Sequence, residues 1–194
     1  MGGGGAGAAG ACFTCHGLGG EGDGQTAPRL AGLPAGYLQK QLEDYAAGLR
    51  PDPAMRSIAG ALDADDRARV AAYYANLTPV GARNGAAGSR PTTVARVLYH
   101  RGDVARGLPA CAGCHGAIGE GLGAGVPPLA DQPAPYLREQ LSQWRRGQRR
   151  NDPRGVMAAI SGRLTTLEAE ALARYAAELG PGTVRDAAVP GASP

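Results

Sequence analysis

Cys12-Phe-Thr-Cys15-His16-Gly17 returns as Cys111-Ala-Gly-Cys114-His115-Gly116, 99 positions further on, and Gly20-Glu21-Gly22 returns at the same offset as Gly119-Glu120-Gly121. The match continues outward. Leu30-Ala31, Pro34, Tyr37-Leu38, Gln41-Leu42 and Gly48 have counterparts in Leu129-Ala130, Pro133, Tyr136-Leu137, Gln140-Leu141 and Gly147, with Trp144 in the place of Tyr45. A short insertion then moves the offset to 102, which pairs Met55 with Met157, Ile58 with Ile160, Leu62 with Leu164 and Tyr73 with Tyr175. Self-similarity of this length means that one fold has been used twice.

Each copy reads as helical. Tyr37, Leu38, Gln41, Leu42 and Tyr45 share one helix face, as do Tyr136, Leu137, Gln140, Leu141 and Trp144. Asp63 and Thr165, each with an acid three residues on (Asp66, Glu168), cap a second helix whose apolar positions are Val70, Tyr73, Tyr74 and Leu77, or Leu172, Tyr175 and Leu179. No period-two pattern competes, so the expectation is an all-α chain. Its first domain is 1–80, a Gly/Pro-rich linker follows at 81–93, the second domain is 94–180, entered by a helix from Val94 to Arg101, and 181–194 is a flexible tail.

All four cysteines lie in the two motifs, and two of the three histidines follow them directly. In Cys-x-x-Cys-His the two thiols add to the vinyl groups of a haem and the adjacent imidazole stands below the iron. A zinc site built from two Cys-x-x-Cys pairs wants about 15–20 residues between them, whereas 96 positions separate Cys15 from Cys111. A thioredoxin-like pair wants a strand beside it, and disulfides would leave His16 and His115 unexplained. The expected cofactors are therefore two covalent haem c groups, on Cys12, Cys15 and His16 and on Cys111, Cys114 and His115. Met55 and Met157 are the only internal methionines, fall in matching positions, and are the expected sixth ligands, each in a loop ahead of the last helix. His100 has no counterpart and is expected as a half-exposed helix residue.

The composition agrees. Gly 32, Pro 15 and 5% aromatic residues make a poor apolar core, which a large flat prosthetic group would help to fill. The 20 basic and 17 acidic residues nearly balance, which excludes a nucleic-acid footprint. Up to Arg90 the counts are 8 and 8, and beyond it 12 and 9, so the +3 excess belongs to the second half. Arg145, Arg146, Arg149, Arg150 and Arg154 make a cluster where the matching stretch has only Arg50, and the expectation is a docking face for an acidic partner. No run is long and apolar enough to span a membrane. Met1–Ala11 lacks the charged start and apolar run of a secretory signal, so a signal is expected to have been removed, replaced or left out.

The paired motifs, Leu30-Ala31-Gly32, the Tyr-Leu and Gln-Leu pairs, Leu108-Pro109-Ala110 before Cys111, and Gly147 with Asn151-Asp152 resemble the cytochrome c4 family from Gly10 to Leu179. That resemblance implies two tandem class I cytochrome c-like domains related by a pseudo-twofold, with haem propionates near the domain interface. It also implies a soluble or peripherally membrane-associated periplasmic protein, not an enzyme. Such a protein passes electrons from a dehydrogenase or quinol–cytochrome c reductase to an acceptor such as a terminal oxidase. Two features depart from the family. The Gly-rich stretch before Cys12 is a poor helix, where members carry a good one, so the natural start is expected to be missing or placed elsewhere. Lys40 is the only lysine, and arginine supplies the other cations. Two alternatives stand beside the carrier: a cytochrome subunit of a dehydrogenase complex, and a two-haem peroxidase or thiosulfate-oxidising enzyme. The last needs an exchangeable or unusual axial ligand, which the matched methionines argue against.

Overall fold

A computed structural model describes residues 12–79 and 92–180. Met1–Ala11, most of the linker and the 181–194 tail, on which sequence expectations also fall, lie outside the described residues. The first half consists of α1 (residues 12–16), α2 (Ala35–Ala46), α3 (Pro53–Gly60) and α4 (Ala64–Ala75). The second half runs α5 (Thr93–Arg101), α6 (Ala112–His115), α7 (Ala134–Arg145), α8 (Val156–Arg163) and α9 (Thr166–Ala177). Among the described residues there is no strand, only an isolated bridge between Asp103 and Leu108.

Packing follows the repeat. α2 is covered by α3 and α4, and α7 by α8 and α9, with α5 against α9. The caps read from the sequence form: Asp63 accepts from the Asp66 amide at 2.7 Å, and Thr165 with Glu168 closes a reciprocal capping box. Leu38, Leu42 and Tyr45 of α2 are buried as their spacing predicts, against Leu33, Ala59, Ala71 and Tyr74. The second core gathers Leu98, Tyr99, Leu108, Leu137, Leu164, Leu172 and Leu179. Tyr73, expected in the core, is 56% exposed, because Tyr74, three residues on from buried Ala71, takes the inward position on α4. The methionines are not in loops: Met55 sits in the first turn of α3 and Met157 in the first turn of α8.

The two halves meet along a polar seam. Arg50 and Arg149, which correspond at the 99 offset, are 3% and 4% exposed. Arg50 donates to Oε1 of Gln41 in its own half (3.0 Å) and to Gln140 Oε1 (2.9 Å) and the Tyr136 hydroxyl (2.7 Å) across the seam. Arg149 mirrors it, donating to Gln140 Oε1 (2.6 Å) and, across the seam, to Gln41 Oε1 (3.2 Å). A second contact pairs Arg29 with Gln132 reciprocally, backbone amide to side-chain carbonyl (3.1 Å) and side-chain amide to backbone carbonyl (2.9 Å). The symmetry is broken at one edge. There Asp44 receives Lys40 and Asn151, although the position matching Asp44 in the second half is Gln143.

Candidate haem sites

Each motif ends its short helix on a left-handed glycine, Gly17 (φ +79°) or Gly116 (φ +82°). The chain then turns back over the histidine. Gly22 N–H donates to the His16 carbonyl and Gly121 N–H to that of His115, both at 2.8 Å. The carbonyl of Gly20 takes the amides of Leu30 and Ala31, and that of Gly119 takes those of Leu129 and Ala130. A side chain on Gly22 would place its Cβ 2.6 Å from the Ala27 carbonyl oxygen, so only glycine lets the two strands of this loop touch.

The loops deliver one carbonyl to each imidazole. His16 Nδ1 lies 2.9 Å from the Pro28 oxygen and His115 Nδ1 3.0 Å from the Pro127 oxygen. A carbonyl can only accept, so Nδ1 carries the proton and the Nε2 lone pair is left for a metal. Both imidazoles are buried, and burial holds their pKa values below the ordinary range, against the raising effect of the carbonyl. The ligand form is therefore the one present at neutral pH. Cys12 and Cys111 are half-buried while Cys15 and Cys114 are exposed, and none is paired in a disulfide. Burial raises Cys12 and pushes Cys111 up to about 11, so these thiols stay protonated in the bare chain.

The surroundings fit a haem. Beside Cys111 the wall is wholly apolar, made of Leu98, Leu108, Ile160, Leu164 and Leu172 with no charged group. At the seam Arg29, Arg50 and Arg149 are buried, yet none hydrogen-bonds to a carboxylate, and Trp144 Nε1 is a buried donor without a partner. Buried cations held only by neutral groups cost several kcal/mol each unless an anion joins them, and haem brings two propionates. The rest of the predicted site divides clearly. Met55 packs beside Leu42, Tyr45 and Ala59, and Met157 is half-buried in the matching place. His100 is half-buried in α5 and its Nε2 lies 2.7 Å from the Tyr175 hydroxyl, remote in role from either motif.

A cytochrome c family model matches residues 4–78. The chain is 36% identical to cytochrome c4 of Azotobacter vinelandii over 182 residues, 88% of this chain and 85% of the relative. It belongs to the cytochrome c4 family. Reduced cytochrome c4 from Pseudomonas stutzeri superposes with a TM-score of 0.81 at 32% identity, covering 93% of this chain and all of that one. A Stutzerimonas stutzeri protein named thiosulfate dehydrogenase electron acceptor is 43% identical over 175 residues, 89% of this chain and 81% of its own. A thiosulfate dehydrogenase from Marichromatium purpuratum superposes with a TM-score of 0.80 at 44% identity, covering 87% of this chain but 36% of that longer one. As a member of the cytochrome c4 family the chain is an all-α, two-domain, dihaem electron carrier.

Two groups of functional residues escape the sequence reading. The Pro28 and Pro127 carbonyls were detectable, since both prolines stand 12 residues after their histidines. Gln41, Gln140, Arg50 and Arg149 also recur at the 99 offset, and polar residues repeated on an apolar helix face were the signal that this face meets another copy of itself. The arginine cluster is corrected accordingly. Arg149 and Arg50 belong to the buried seam and not to a solvated surface, because each finds glutamine acceptors from both halves and an aromatic ring, Trp144 at 4.0 Å and Tyr45 at 4.6 Å.

Proposed function

We propose that this chain accepts electrons from a thiosulfate-oxidising dehydrogenase in the periplasm and passes them to a further respiratory acceptor. One haem is attached at Cys12 and Cys15 and the other at Cys111 and Cys114. Met55 and Met157 complete the coordination begun by His16 and His115. The observation that carries the donor is the likeness, at 44% identity, to part of a thiosulfate dehydrogenase chain, joined by the relative whose name calls it the acceptor of such an enzyme.

Haem iron held by imidazole and thioether exchanges one electron at a raised potential with little change of geometry. The chain's own residues supply the rest. Pro28 and Pro127 orient the imidazoles, and the exposed Cys15 and Cys114 mark where each site approaches solvent. Arg50 and Arg149, with Gln41 and Gln140, hold the halves in one register and offer positive charge to the propionates. His16 with Met55, and His115 with Met157, would be the protein ligands of each iron and would leave no position for a substrate atom, which favours a carrier over an enzyme. No helix among the described residues is long and apolar enough to cross a membrane.

A second reading, supported by the cytochrome c4 relatives, is a carrier between quinol–cytochrome c reductase and a terminal oxidase. Mixing the oxidised holoprotein with thiosulfate alone, with thiosulfate plus a thiosulfate dehydrogenase, and with quinol plus the reductase separates these readings. Reduction only in the second mixture is expected. Reduction by thiosulfate alone would make the chain an enzyme, and reduction only in the third would transfer it to the respiratory reading.

A further inference from the structure

The exposed arginines fall into three kinds, of which the first, Arg145 and Arg163, donates to neutral oxygens of Thr166 and Ala159. Arg69, Arg106, Arg138, Arg146 and Arg174 each meet a carboxylate at 2.6–3.3 Å. Arg56, Arg101, Arg150 and Arg154 are exposed, and their guanidiniums make no hydrogen bond or ion pair among the described residues. Arg56 and Arg150 come from different halves, yet the fold brings their segments to the same rim of the seam, and Arg154 follows three residues after Asn151, which donates across it to Gln41 and Asp44. The Arg150 amide donates across it to the Leu49 carbonyl at 2.9 Å. Arg56 lies along Gly48, so close that a Cβ there would stand 3.3 Å from Nη1. Arg154 is held in the left-handed region (φ 59°) by the inserted turn that precedes α8.

The carboxylates of the same loops do not neutralise them. Asp52 is turned onto the Met55 amide (2.9 Å) and Asp152 onto the Ala158 amide (3.0 Å), each serving a helix start. Among the unpaired cations two apolar side chains are left in water, Leu49 (42% exposed) and Val156 (48% exposed). Unpaired arginines around exposed aliphatic groups are the composition of a protein-docking surface with a charged rim. The rim also adjoins the first turns of α3 and α8, which carry Met55 and Met157.

We propose that this rim, Arg56, Arg150 and Arg154 around Leu49 and Val156, docks an electron-transfer protein with a carboxylate-rich face, which touches both halves at once. The proposal rests on the electron-carrier reading but not on the identity of the donor. A membrane surface is the less favoured occupant, because the chain's net charge is only +3 and the rim is a small cluster of three cations.

The test is stopped-flow electron exchange of the holoprotein with an acidic plastocyanin, for wild type, Arg56→Glu/Arg150→Glu, and Arg101→Glu. Arg101 is an exposed control at the end of α5, which packs on α9 and α6 and away from the seam. At low ionic strength the double variant should be slower by about tenfold or more, the gap should close in high salt, and the control should match wild type. Dithionite reduction and the visible spectrum should be the same in all three, which shows that the haem sites are intact. Equal plastocyanin rates for the double variant and wild type, or an equal loss in the control, would overturn the proposal. Binding of the wild type, but not the double variant, to anionic lipid vesicles, with plastocyanin rates unchanged, would give the rim to a membrane instead. Repeating the series with thiosulfate dehydrogenase tests the donor separately: a dehydrogenase that fails to reduce the wild type removes the donor and leaves the plastocyanin result standing.

Discussion

The Arg50 guanidinium donates to Oε1 of Gln140, 2.9 Å away in the other half of the molecule, and Gln140 Oε1 also accepts from Arg149 at 2.6 Å. One neutral oxygen thus serves two buried cations, one from each domain. Gln140→Leu removes that acceptor and should lower stability by about 2–3 kcal/mol, since two charged donors lose a partner they cannot replace from water. Urea unfolding followed in the visible haem band is the measurement. An unchanged midpoint would mean that the seam does not hold the halves together.

The methionine assignment predicts two separable changes. Met55→His should lower the potential of one haem and Met157→His that of the other, each removing its part of the long-wavelength band from thioether to ferric iron. His100→Gln should leave both potentials in place, because His100 engages Tyr175 and neither motif. A full band in either methionine variant sinks that ligand.

Gly121 has φ +75°, and a Cβ on it would stand 2.6 Å from the Pro128 nitrogen. Gly121→Ala should therefore cost about 2 kcal/mol or more and loosen the loop that presents the Pro127 carbonyl to His115. Gly113→Ala, which meets nothing within 4 Å, is the comparison and should be close to neutral. Thermal unfolding of both holoproteins distinguishes them, and an equal melting temperature for the two would refute the backbone argument.

Acid stability should depend on Glu168. Its bonds to Arg106, with the Thr165 cap adding to them, hold its carboxyl down to about 2, against an ordinary value of 4.5. Because the folded pKa is the lower one, this contribution is present above the ordinary value and is lost as pH falls from about 4.5 towards 2. Glu168→Gln keeps a side chain able to complete the capping box but gives up the charge. The melting temperatures of wild type and variant should differ at pH 7 and converge through that window. A gap that persists unchanged at the acid end would assign the effect to packing and not to the ion pair.

Much of this protein is determined by its sequence alone, because the deciding information is local or repeated. Two Cys-x-x-Cys-His segments state their chemistry within five residues, and helix caps such as Thr165 with Glu168 act within one turn. The constant offset between the halves declares a duplicated fold without any knowledge of its shape. What the sequence could not decide is which polar residues turn inward. Arg50 and Arg149 look like Arg56 and Arg150 in any window of composition, and Tyr73 looks like Tyr74. Only the tertiary structure separates them, because burying a guanidinium is tolerable solely where several acceptors converge on it. Here Gln41, Gln140 and Tyr136 converge from two helices about 100 residues apart in the chain. Arg56, six residues after Arg50, and Arg150, the next residue after Arg149, find no such set of partners and remain in water.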